Sequence, residues 1–307
     1  MRSEHSEQKA VRSEMRRMKR FGKREALLGF LFAMPWILGF LLLTAFPLFY
    51  SLYLSFTNAT TSSTTETFKG FANYKAIVTD ANFWLSVKNT IFFVLLSVPL
   101  NLLFSLLLAL LLHAKVLGRK MFRALYYIPT LVTIVAVVYL WQQLLGSSGV
   151  VNQLLGVFGI QGPDWFHDYS WATPGLALMG MWSVGGTVVI FLSSLTDVPK
   201  QLYEAVEMDG GGNFRKFVHV TLPAISPIVF YNLLTATIAA FQVFVQPMLM
   251  TGGDYNTNYL GYYVYQTGFT VGRQGYASAI SWLMLIIMGV FIALIQYARK
   301  RWAVYND

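Results

Sequence analysis

Six long apolar runs alternate with polar stretches along the chain: Ala26–Phe56, Asn89–Leu112, Ala124–Leu145, Thr173–Leu195, Ile225–Met250 and Ala277–Ala298. A helix of about 20 apolar residues crosses a hydrocarbon core of about 30 Å, so each run predicts a transmembrane helix. The pattern predicts an all-α, polytopic integral membrane protein with a six-helix domain over 26–298, a basic segment over 1–25 and a tail over 299–307. A cleavable signal peptide has an apolar stretch of only about 7–15 residues and then a small-x-small site. The first run is longer and lacks such a site, so it is expected to remain as an anchor.

Composition agrees with this reading. The 307 residues are 55% hydrophobic and 12% charged, where a soluble domain carries about 25% charged residues. That excludes a soluble enzyme, a disordered chain and a coiled coil. The absence of cysteine excludes disulfides, thiolate catalysis and cysteine-held metal clusters.

The net charge of +9 is unevenly placed. Lys and Arg number nine in Met1–Glu25, four in His113–Arg123, three in Thr196–Ala224 and three in Arg299–Asp307. The alternate loops carry only Lys69, Lys75, Lys88 and Arg273. Basic residues concentrate on the cytoplasmic side of membrane proteins, which predicts that both termini are cytoplasmic (N-in and C-in). A basic N-terminus can also serve as a nucleic-acid arm, but beside a membrane anchor it reads as an orientation signal against anionic lipid, with no nucleic acid expected as partner.

None of the charged side chains falls inside the six runs. Proton relays and many ion-coupled carriers need ionisable groups at membrane depth. The four histidines, at 5, 113, 167 and 219, lie in loops or at helix ends, and no metal site is expected. The chain also lacks a G-x-x-x-x-G-K-[ST] phosphate loop. It is therefore expected not to be an enzyme and to bind no cofactor itself; energy for uphill movement must come from another polypeptide.

The loop over 196–224 reads differently from the others. Thr196 or Asp197 can cap a helix, Pro199 suits its first turn, and Gly210-Gly211-Gly212 stops it. Between them Leu202, Ala205 and Val206 form an apolar stripe at i, i+3, i+4. A second short helix is expected over Asn213–Val220, ahead of Leu222-Pro223 and Pro227. A helix this short needs a groove to pack in, whether on its own bundle or on a partner.

Glu204-Ala205-Val206, Asp209-Gly210 and Leu222-Pro223 resemble the "EAA…DG…LP" loop of permease subunits of binding-protein-dependent ABC importers. The resemblance extends over most of the chain after residue 25. Phe68-Lys-Gly-Phe-Ala-Asn-Tyr74, Phe122-Arg-Ala-Leu-Tyr-Tyr-Ile-Pro129, Gly149-Val-Val-Asn152, Trp182 and Gly252-Gly253 are similar to the carbohydrate-uptake branch. The basic extension and the Arg299-Lys-Arg-Trp302 ending resemble the maltose-type first permease subunit. Two positions depart from the motif: Val206 stands where it usually has alanine, and Gly211 replaces a small alanine.

The resemblance implies an ABC type I importer architecture in which this helix sits in a cleft of a cytoplasmic ATPase. Glu204 would be the charged contact, and Asp209 and Gly210 would fix the turn after the helix. It further implies a second homologous permease subunit, two ATPase subunits that use ATP and Mg, an extracytoplasmic solute-binding protein and a carbohydrate substrate.

For the substrate path, Tyr231, Thr235, Gln242 and Gln246 fall within about 60° of one another if the fifth run is one continuous helix at 100° per residue, with Asn232 just outside. Uncharged hydrogen-bonding groups beside aromatic rings suit a sugar. Such groups also join neighbouring helices, and both readings stay open. The fourth-run glycines Gly180, Gly185 and Gly186 suit close helix packing, and Trp165 and Trp171 suit the outer interface. A self-contained carrier or channel is the alternative; it would need neither the Glu204–Pro223 loop nor a partner ATPase.

Overall fold

The structure, a computed structural model, describes residues 25, 28–62, 66–114 and 118–302. Most of the basic segment, loop residues 115–117, the tail over 303–307 and the side chains of the Arg299-Lys-Arg-Trp302 ending except Arg299 lie outside that description. The charge-based orientation and the resemblance of both chain ends therefore rest on sequence.

The chain divides into two compact units, 1–54 and 55–307. The first is represented by the 28-residue helix α1 (Leu28–Ser55). The Phe46 N–H donates to Leu41 O, one residue further back than in an α-helix, so α1 widens over Leu41–Ala45. Rings one turn apart stack along it, Trp36 on Phe40 and Phe46 on Tyr50.

The second unit begins with α2 (Ala72–Val78) and α3 (Ala81–His113). Asp80 starts α3 by accepting the Asn82 N–H at 2.9 Å. There follow α4 (Arg119–Tyr127), α5 (Ile134–Leu145), α6 (Val150–Val157), α7 (Ala172–Met181) and α8 (Gly185–Thr196). Next come α9 (Lys200–Met208), α10 (Asn213–Phe241), α11 (Val245–Met250), α12 (Leu260–Tyr265) and α13 (Gln274–Trp302). Among the described residues there is no strand, only an isolated bridge pairing Thr57 with Phe68.

Helix α3 organises this unit. Its 33 residues contribute to three apolar clusters in succession. Phe83 and Val87 pack with Leu260 and Ile280; Phe93, Val94 and Val98 with Val138, Leu176 and Phe241; Leu108 and Leu112 with Phe191, Leu192 and Ile225. Helices α7, α8 and α10 all pack against it.

The all-α membrane class holds, with differences of detail. Five stretches are long and apolar enough to cross a bilayer, and a sixth is the pair α7 and α8, bent by 51° where a single straight run was expected. Just past the bend two backbones come close: a Cβ on Gly185 would lie 2.3 Å from Tyr126 O and 3.0 Å from Tyr127 Cα. The α8 backbone is thus drawn against α4, closer than any side chain allows. Gly180 faces Asn101, whereas Gly186 faces open space, so two of the three glycines serve packing.

The third crossing begins at Ile134, not Ala124. Residues before it belong to amphipathic α4 and a tight turn over Ile128–Leu131, and the chain is extended at Val132 and Thr133. The fifth crossing starts earlier than Ile225 and ends earlier than Met250, running Asn213–Phe241.

Candidate coupling site and solute path

The loop between α8 and α10 is ordered by local hydrogen bonds. Neither sequence candidate caps α9: the Thr196 hydroxyl donates to Leu192 O at 2.7 Å, and the Asp197 N–H donates to Ser193 O. Both residues finish α8 instead, and α9 starts at Pro199, which occupies the cap position without a side-chain bond. The stop signal is as expected. Gly210 adopts φ +72°, the Gly210 N–H reaches Glu207 O at 2.9 Å and the Gly211 N–H reaches Val206 O at 2.8 Å. Space explains the departure at Gly211, since a Cβ there would lie 2.4 Å from Val206 Cγ1 and 2.9 Å from Val206 O.

The segment over 213–220 is not a separate helix. It runs unbroken into the membrane helix, through a wide turn over Phe217–Thr221 where the Leu222 N–H donates to Phe217 O. Pro223 has no N–H to give, and the wider turn accommodates its ring inside the helix. Leu222-Pro223 is therefore a joint within α10 rather than a terminator of the loop.

The short helix turns one face inward. Tyr203 and Val206 pack on the cluster around Leu108, Phe191 and Ile225, and the Tyr203 hydroxyl lies 3.1 Å from Thr221 Oγ1. Lys216 of α10 pairs with Glu207. Glu204, Ala205 and Asp209 face outward. The expected stripe is thus split: Leu202 and Ala205 are exposed while Val206 belongs to the chain's own core. Met208, 88% exposed, and Phe214, 81% exposed, are further outward apolar side chains of this loop. Sequence reasoning missed both, although an aromatic residue in the polar stretch Gly212-Asn213-Phe214-Arg215 was a usable signal.

The polar stripe of the fifth run is interrupted. Tyr231 and Thr235 share an exposed face of α10, with the Thr235 hydroxyl donating to Tyr231 O or Asn232 O, each at 3.1 Å. Gln242 is exposed but stands at the end of α10, and Gln246 lies beyond the break on α11. The register of α10 carries as far as its C-cap Gln242, which stays on the side of Tyr231 and Thr235, but it cannot be carried across Val243 and Phe244, so the 60° grouping does not apply to Gln246. The break coincides with a close approach of Gly261, where a Cβ would lie 2.9 Å from Val243 O. Asn232 is 3% exposed and joins no stripe.

At the other end of α3, Asp80 Oδ2 accepts the Tyr263 hydroxyl at 2.5 Å and the Tyr276 hydroxyl at 2.7 Å. Arg273 lies 4.3 Å from the centre of the Tyr276 ring. Burial pushes the Asp80 carboxyl up, but these hydroxyls and the backbone N–H groups of Asn82 and Phe83 together hold it below its ordinary value.

The family model described as "Binding-protein-dependent transport system inner membrane component" matches residues 89–303. The chain belongs to this family. As such an inner membrane component, it is a multi-pass transport subunit rather than an enzyme. It is 34% identical to the probable ABC transporter permease protein YesP of Bacillus subtilis, with 93% of this chain and 94% of the relative covered. It is 30% identical to the sulfoquinovosyl glycerol transport system permease protein SmoG of Agrobacterium fabrum, with 89% and 91% covered. The fold is that of a subunit of a bacterial ABC transporter involved in import of the acidic polysaccharide alginate, with TM-score 0.79, 23% identity, and 93% and 99% covered.

Proposed function

We propose that the chain is a permease subunit of an ATP-driven importer that moves a carbohydrate across the inner membrane, with both termini cytoplasmic. The observation that carries this reading is the split of the short helix α9. Tyr203 and Val206 fasten it to the membrane bundle, while Leu202, Ala205, Met208 and Phe214 turn apolar side chains outward along with Glu204. A helix fastened in this way suits a cleft on a separate ATPase. Two such ATPase subunits would hold ATP and Mg, and their closure would turn α9 and α10 as one lever. A second homologous permease subunit would complete the path, and a solute-binding protein would deliver the sugar from outside.

The sugar reading draws on the sulfoquinovosyl glycerol permease among the relatives and on the uncharged face of Tyr231 and Thr235. Gln242, exposed at the span break, adds an amide to that surface.

Co-purification tests the assignment. Affinity capture of this chain from membranes should bring an ATPase and a related permease in defined ratio, and the complex should hydrolyse ATP faster with sugar-loaded binding protein. Capture of the chain alone, with solute uptake insensitive to ATP depletion, would instead support a self-contained carrier.

A further inference from the structure

A cleft of about 710 Å³ opens between the first turns of α3 and the start of α7, lined by Trp84, Lys88, Asn89, Phe92, Tyr169 and Thr173 among others. It lies far from the ATPase-facing helix. Leu108, which shares a cluster with Tyr203 and Val206, is 20 residues further along α3 than Lys88. At about 1.5 Å per residue that is about 30 Å, the thickness of a hydrocarbon core. The cleft therefore sits at the opposite membrane face from α9.

Its lining combines three kinds of group. Lys88 is exposed and takes part in none of the ion pairs among the described residues. Asn89 is 5% exposed, yet its Nδ2 amide finds no hydrogen-bond acceptor among the described residues. A buried amide donor without a partner is a standing cost, which a bound acceptor removes once the Asn89 side chain turns into the cleft. Trp84 and Tyr169 supply half- to two-thirds-exposed rings, on which the CH face of a pyranose can stack. An ammonium, an unanswered amide donor and aromatic rings together fit an oxyanion carried on a sugar ring.

We propose that this cleft is an outer subsite for an acidic saccharide, with Lys88 Nζ and Asn89 Nδ2 holding a sugar carboxylate and Trp84 or Tyr169 stacking on the ring. The proposal rests on the carbohydrate-importer reading and narrows its substrate to one bearing negative charge. An anionic lipid headgroup presents the same oxyanion, but its glycerol and acyl chains offer no ring to stack on Trp84.

The test uses the purified complex in nanodiscs of phosphatidylcholine alone, titrated with digalacturonate and, separately, with a neutral galactose disaccharide. Tryptophan fluorescence reports binding, with Trp84→Phe assigning the signal. Digalacturonate should bind saturably and the neutral disaccharide much more weakly. Lys88→Met, an exposed change that leaves the fold alone, should weaken digalacturonate binding by about tenfold, as loss of a charge-assisted bond implies. Lys88→Arg should restore most of it. Asn89→Leu, which fills the same volume without a donor, should weaken it as well.

Equal affinity for both disaccharides would overturn the proposal, as would unchanged digalacturonate binding in Lys88→Met. A Lys88-dependent signal seen only when phosphatidylglycerol is added would mark the cleft as a lipid site and overturn it too. The importer reading fails separately: a complex that hydrolyses ATP in response to its binding protein but ignores digalacturonate removes only the acidic subsite.

Discussion

The Tyr203 hydroxyl lies 3.1 Å from Thr221 Oγ1, although 18 residues and a glycine-rich turn separate them in the chain. One residue belongs to the short helix α9 and the other to the wide turn of the membrane helix α10. Together with the Glu207–Lys216 pair, this contact ties the two helices to each other. Tyr203→Phe removes a hydrogen bond worth about 0.5–1.5 kcal/mol and keeps the ring packing. The variant should retain its ATPase partner and basal ATP hydrolysis while losing several-fold in transport per ATP. Uptake and hydrolysis measured together in proteoliposomes would show this. Unchanged coupling would mean that packing of Tyr203 and Val206 alone carries the motion.

Gly210 offers a sharper test, because its φ of +72° is one that a β-branched residue resists. Open space surrounds it, with nothing within 4 Å of a Cβ, so the penalty is purely conformational. Gly210→Val should cost about 1 kcal/mol or more and misdirect Gly211 and the start of α10. Gly210→Asn, which tolerates left-handed backbone, should be much milder. Comparing ATPase retention on the purified membrane subunits separates the two. Equal loss in both variants would point to a steric role for the missing Cβ.

Much of the fold was legible because lipid imposes a length on every crossing helix, and apolar runs of that length are hard to mistake. The breaks were not legible. A straight run was expected through Trp182 and through Gln242, and both are interrupted where a glycine, Gly185 or Gly261, lets another segment approach closely. Composition within a run does not reveal which neighbour will press on it. The same limit split the Leu202, Ala205, Val206 stripe: periodicity places three apolar residues on one side, but only tertiary packing decides that Val206 turns inward with Tyr203. One acceptor and two donors far apart in sequence, Asp80 with Tyr263 and Tyr276, carried no local signal at all.

The outward side chains of α9 and the start of α10 divide into apolar and charged groups that respond differently to salt. Met208→Ser or Phe214→Ser should weaken ATPase binding at any ionic strength, since burial of apolar surface contributes about 25 cal/mol per Å² and is not screened. Glu204→Lys should weaken it mainly at low salt, with the difference from wild type shrinking as ionic strength rises. Surface-immobilised permease titrated with the ATPase at two salt concentrations distinguishes them. A Glu204→Lys deficit that persists undiminished in high salt would indicate a steric clash rather than a lost charge contact.

Asp80 ties the start of α3 to α12 and α13 through two hydroxyls, and its carboxyl is held below its ordinary value. A carboxylate with a depressed folded-state value contributes stability above its unfolded value, and that contribution is lost as pH falls through the folded value. The window therefore lies below about pH 4. Amide exchange over Leu260–Tyr265, taken relative to the intrinsic rate at each pH, should accelerate on acidification in the wild type. In Asp80→Leu, which can accept neither hydroxyl, it should already be about tenfold faster at pH 7 and respond less to acid. Equal exchange in the two proteins at pH 7 would show that the apolar cluster of Ile77, Leu260 and Ile280 holds this end unaided.

Tyr231 and Gln242 fall on the same side of α10, one on continuous helix and the other at its end, and this makes their comparison informative. Tyr231 is 54% exposed on continuous helix, whereas Gln242 is exposed where α10 stops. If both line the solute path, Tyr231→Ala and Gln242→Leu should each lower uptake while membrane assembly and basal ATP hydrolysis stay near wild type. Tyr231→Phe then separates the roles of hydroxyl and ring, because stacking survives it and hydrogen bonding does not. Gln242→Leu keeps the side-chain volume, so a transport defect there would identify the amide itself as the contact. Asn232→Leu serves as the contrast: this side chain is 3% exposed, so its replacement should alter stability before it alters transport. Normal uptake by Tyr231→Ala and Gln242→Leu, with thermal stability reduced instead, would assign both positions to helix packing.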